Sequence, residues 1–82
     1  MSRFEKLLQR IKSLDKNMRF KEIKKILESY GYIMNGCGGS HKTFRKPGCN
    51  PITIPMNEPI RRVYILLVKD VIESEEKNEQ NN

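Results

Sequence analysis

The chain's single histidine, His41, sits in the stretch Gly36-Cys37-Gly38-Gly39-Ser40-His41-Lys42-Thr43-Phe44-Arg45-Lys46. Imidazole is the side chain whose ordinary pKa lies near neutrality, so it can take a proton from one oxygen and give one to another. RNA cleavage needs such a group. A base removes the 2′-hydroxyl proton, O2′ attacks the neighbouring phosphorus, and the 5′-oxygen leaves with a proton. Negative charge builds on the phosphate oxygens, where cations and backbone N–H groups stabilise it. Gly38, Gly39 and Ser40 form a backbone that can approach a phosphate closely. Lys42, Arg45 and Lys46 supply cations. No second histidine shares the acid and base roles.

The same residues have plainer readings. A glycine cluster before a strand is commonly a turn, and a lone histidine on a strand is commonly a surface residue. Cys37, His41 and Cys49 are ligand types for zinc, but their spacing matches no common zinc pattern and a fourth ligand is missing, so no metal is expected. The two cysteines read as reduced thiols in a chain that shows no export signal.

The elements that must position His41 follow from periodicity. Phe4, Leu7, Leu8, Ile11 and Leu14 mark one face of a helix over residues 3–14, with Ser2 as its N-cap and Glu5 three residues on. Phe20, Ile23, Ile26, Leu27 and Tyr30 mark a second helix over Arg19–Tyr30, stopped by Gly31. Strands are expected at Tyr32–Met34, His41–Arg45 and Ile52–Ile54, with a Pro-Gly turn between the last two. Together they suggest a three-stranded antiparallel meander. Tyr64, Ile65, Val68, Val71 and Ile72 place a last helix over Arg61–Ser74. Strand alternation then sets the parity: Phe44 faces the helices, whereas His41, Thr43 and Arg45 face the opposite, open side. Lys21, Lys24 and Lys25 lie off the apolar stripe of their helix and read first as a solvated face.

Size and charge bound the function. Eighty-two residues, 37% apolar and 32% charged, make one small domain of ordinary globular composition. No apolar run approaches the length of a bilayer span, and charges interrupt the N-terminal apolar residues, so a cytoplasmic protein is expected. Residues 1–69 carry fifteen Lys and Arg against five Asp and Glu, net +10, whereas residues 70–82 are net −4. A basic body points to a polyanionic partner. Residues 1–74 are expected to form the domain and residues 75–82 a disordered acidic tail.

The ordered set Gly31-Tyr32, Gly39-Ser40-His41, Phe44 and Thr53-Ile54-Pro55, followed by a helix, resembles the HicA family of toxin mRNA interferases over about residues 19–73. The leading helix is similar to an N-terminal extension that some members carry. The resemblance implies a double-stranded-RNA-binding-domain-like α+β fold with helices packed on one face of the sheet. It implies ribosome-independent, metal-independent mRNA cleavage with His41 as the catalytic residue, no cofactor, and a HicB-type antitoxin that covers the site. Gly39, Ser40, Lys42, Arg45, Lys46, Arg61 and Arg62 are the expected RNA contacts. One departure stands out: Met56 and Asn57 occupy positions where family members often carry a basic residue and a histidine, and Arg61 and Arg62 offer replacement charge. Two other readings remain beside the enzyme. One is a non-catalytic RNA-binding module, and the other is an interaction domain whose basic face serves only an acidic protein.

Overall fold

A computed structural model describes residues 2–36 and 39–80. The elements run α1 (Arg3–Lys12), α2 (Phe20–Ser29), β1 (Ile33–Asn35), β2 (His41–Arg45), β3 (Ile52–Pro55) and α3 (Arg62–Gln80). The fold is α+β, with three helices and an antiparallel sheet ordered β1-β2-β3. The expected meander is present.

Local chemistry sets the boundaries. The Ser2 hydroxyl accepts a hydrogen bond from Glu5 N at 3.1 Å, satisfying one of the free N–H groups in the first turn of α1. The helix stops at Lys12 rather than residue 14 because Leu14 adopts a left-handed φ of 58°. Asp15 N then donates to Arg10 O across the end of the helix. At α2, Glu22 Oε1 accepts from Arg19 N at 2.9 Å. Gly31, at φ 94°, turns the chain out of α2 and into β1, a conformation that side chains with a Cβ rarely adopt.

One apolar core joins the elements. Phe44 of β2 and Ile52 and Ile54 of β3 are buried in the same cluster as Ile23, Ile26 and Leu27 of α2. Ile11 of α1 and Ile65, Val68 and Ile72 of α3 belong to it as well, as do Met18, Phe20, Tyr32 and Ile60. The Phe20 and Phe44 rings lie 6.1 Å apart in a tilted arrangement that suits aromatic quadrupoles. Across the β2–β3 pair, Phe44 stands opposite Ile52 and Lys42 opposite Ile54, while Thr43 stands opposite Thr53 and His41 opposite Pro55. The register is unbroken from His41 to Phe44, so the alternation keeps His41 and Phe44 on opposite faces.

The last helix corrects the expected tail. It continues past Ser74, through residues expected to be disordered, to Gln80. No glycine or proline follows Pro59, and Glu, Lys and Gln are good helix formers. Glu75 pairs with Lys46 beyond β2, and Glu76 pairs with Lys12 of α1 at 2.8 Å. These partners lie 29 and 64 residues away, so a local reading sees only a polar run.

Tyr32 records how the end of β2 is closed. It is 6% exposed, and the Lys46 ammonium lies 5.7 Å from its ring centroid. Burial, and then a hydrogen bond with Cys49, push its phenol pKa up to about 12. A group held protonated more firmly when folded than when unfolded stabilises the fold below its unfolded pKa and loses that contribution as pH rises through the folded value. Stability is therefore expected to fall between about pH 10, the ordinary tyrosine pKa, and about 12. Urea melts across this window should show a steeper loss for the native chain than for Tyr32→Phe, which has no phenolic proton to release. Parallel losses would place the effect on other groups.

Candidate nucleic-acid site

His41 opens β2 and is solvent-exposed. Its Nδ1 lies 3.2 Å from the hydroxyl of Ser40, which leaves Nε2 without a partner among the described residues. Ser40 is itself held in place, because its carbonyl accepts a 2.6 Å hydrogen bond from Met56 N just beyond β3. Gly39 has φ 81°, and a Cβ added there would meet nothing within 4 Å. Glycine is needed there for backbone conformation, and the space around it stays open.

The imidazole borders an open cleft of about 580 Å³, lined with it by Pro55, Asn57, Glu58, Pro59, Arg61 and Tyr64. The β3–α3 connection builds this cleft by folding back against the start of α2. Phe20 N donates to Glu58 Oε1 at 3.0 Å, and Ile60 N donates to Met18 O at 2.9 Å. Glu58 thus acts as a distant cap on α2, satisfying an N–H that the helix itself leaves free. Removing this acceptor in Glu58→Ala is expected to cost about 1 kcal/mol in a urea melt. Glu58→Gln keeps an acceptor oxygen and should cost less.

The expected contact residues divide. Arg61 lines the His41 cleft, and Gly39 and Ser40 lead into it. Arg45 shares the face of His41, displaced along the strand by about 13 Å at ~3.3 Å per residue. Arg62 lines a different cleft, between the end of α1 and the start of α3. Lys42 has the parity of Phe44, and a Cβ on Gly36 would collide with its side chain, so that glycine gives Lys42 its passage. Lys46 is drawn to Glu75 and to the Tyr32 ring. Asn57, Glu58 and Tyr64 are cleft residues that sequence reasoning did not select. The Asn57 departure is the one signal that pointed there.

The chain matches no protein-family model, no curated protein and no solved structure. Among the described residues, no helix is long and apolar enough to cross a membrane. No group of three or more His, Cys, Asp or Glu among them is placed to hold a metal ion. Cys49 is a free, exposed thiol, and Cys37 and Gly38 lie outside the described residues.

Proposed function

We propose that this chain is a cytoplasmic endoribonuclease toxin of the HicA kind, with a double-stranded-RNA-binding-domain-like fold, that cleaves mRNA independently of the ribosome and is neutralised by a HicB-type antitoxin. The observation that carries the reading is the exposed His41 imidazole, its Nε2 without a partner among the described residues, at a cleft it shares with Arg61. In this reading Nε2 takes the proton from the 2′-hydroxyl as O2′ attacks phosphorus. The P–O5′ bond breaks, and the leaving oxygen takes a proton from the imidazolium or from water to become a 5′-hydroxyl. Arg61 neutralises charge growing on the phosphate oxygens. Asn57 and Tyr64 line the cleft as neutral hydrogen-bonding groups.

Asn57 also favours the second reading, a module that binds RNA without cutting it, because an amide cannot exchange protons as a histidine does. Incubation of a defined single-stranded mRNA with the native chain and with His41→Ala, without added divalent metal and with product ends mapped, separates the two. Cleavage by the native chain alone, leaving 5′-hydroxyl ends, supports the enzyme. Binding by both with cleavage by neither supports the module. Absence of RNA binding even at low salt would leave the protein-interaction reading.

A further inference from the structure

The His41 cleft shares lining residues with further surface depressions, Pro59 and Arg61 with the one beside the end of α1, and Glu58 and Pro59 with one that leads toward α2. A groove of about 440 Å³ lies between α1 and α2, and its cations include Arg3 and Lys6 of α1 and Lys21 and Lys25 of α2. It shares Arg10, Lys21 and Glu22 with a second depression that reaches Asn17 and Arg19. That depression shares Asn17 and Arg19 with a third, which ends at Glu58 and Pro59. Glu58 and Pro59 in turn line the His41 cleft. Each depression therefore adjoins the next through common walls, from the α1–α2 groove to the imidazole.

The charge along this path is one-sided. Arg3, Lys6, Arg19, Lys21, Lys25 and Arg61 form no ion pair among the described residues. The two acidic residues on the path are already engaged. Glu22 pairs with Arg10 and accepts from Arg19 N, and Glu58 accepts from Phe20 N. A path on which these six cations form no ion pair among the described residues, against one carboxylate, Glu58, that likewise forms none, fits a chain of phosphates. Lys21 and Lys25 stand one helical turn apart, and Arg3 and Lys6 nearly so, giving cation steps of about 5–6 Å between Cβ atoms. Such regular spacing suits successive charges along an extended strand.

We propose that this channel is a second binding region for single-stranded RNA, with the α1–α2 groove holding the phosphate backbone of substrate that extends away from the His41 cleft. The proposal rests on the RNA-directed reading and adds the path of the strand. It also gives α1 a role, as the basic wall opposite α2. Long substrates gain affinity from the groove, whereas a dinucleotide reaches only the cleft.

The test compares Lys21→Gln/Lys25→Gln with Lys69→Gln/Lys77→Gln, which removes as many charges from α3. Binding of a fluorescent single-stranded RNA of about 16 nucleotides, the long end of site sizes for small single-strand-binding domains, is followed against salt in a His41→Ala background. The groove pair should weaken binding by at least about tenfold at ~50 mM salt and reduce the slope of log K against log salt by about 1.4, near 0.7 per lost contact. The α3 pair should change neither. In chains retaining His41, the groove pair should raise KM for long RNA and leave dinucleotide cleavage as it was. Unchanged affinity in the groove pair, beside native RNA binding and cleavage, overturns the channel and spares the enzyme reading. Equal weakening by both pairs overturns the channel in favour of diffuse charge. Absence of RNA binding by the native chain at low salt overturns the RNA reading and the channel with it.

Discussion

Replacing His41 with alanine is expected to slow RNA cleavage by about 10²–10⁴-fold, the usual contribution of a positioned acid–base group. RNA affinity should change little. The cations assigned to the phosphates in this reading, Arg61 and the α1–α2 lysines, stay in place. The loss should therefore appear in kcat, with KM near the native value, the pattern of an interaction made in the transition state. The fold should also tolerate the change, because His41 is exposed, its side chain contributes nothing to the core, and its backbone pairing with Pro55 survives in alanine. Single-turnover cleavage with excess protein measures the chemical step apart from binding. If His41→Ala keeps native cleavage in that assay, the imidazole is a bystander and the nuclease reading loses its central residue. If affinity collapses together with rate, His41 is a binding contact and the non-catalytic module is the better description.

The orientation of His41 was legible because it depends on a short-range rule. Phe44 is the large apolar residue of its strand, and a period of two then fixes the side on which His41 and Arg45 stand. The helices were legible from their apolar stripes, and Ser2 and Gly31 marked their ends through capping chemistry. Legibility failed where partners are distant in sequence. Lys46 reads as a free cation beside the histidine until Glu75 comes within reach, and Glu75 reads as part of a tail until α3 runs alongside. Glu58 has no local reason to be chosen, since its role as a cap on Phe20 depends on the β3–α3 connection folding back by 38 residues. The cleft partners of His41 inherit that dependence. Lys21 and Lys25 looked like an ordinary solvated face because their groove exists only when α1 packs beside α2.

Phe44→Ala is expected to be the most destabilising single change in the sheet. The ring is completely buried, lies against Phe20 of α2, and faces Met34 and Ile52 on the two neighbouring strands. Truncating such a ring costs about 3–5 kcal/mol, combining lost apolar transfer with the cavity left behind. A chain of this length has a total stability of about 4–12 kcal/mol at ~0.05–0.15 kcal/mol per residue, so the variant should lose between roughly a quarter and all of it. Phe44→Leu keeps much of the volume and should be far milder. Urea midpoints measured by far-UV circular dichroism distinguish the variants, and an unchanged m-value shows that stability rather than denatured-state compactness has moved. The consequence reaches the site, because β2 carries Phe44 inward and His41 outward on the same five residues. Activity should therefore follow the folded fraction in both Phe44→Ala and Phe44→Leu, whereas His41→Ala stays folded and slow. A loss below about 1 kcal/mol for Phe44→Ala, far under the usual range, would mean that Phe20, Met34 and Ile52 close over the space and that the placement of β2 does not hang on this ring.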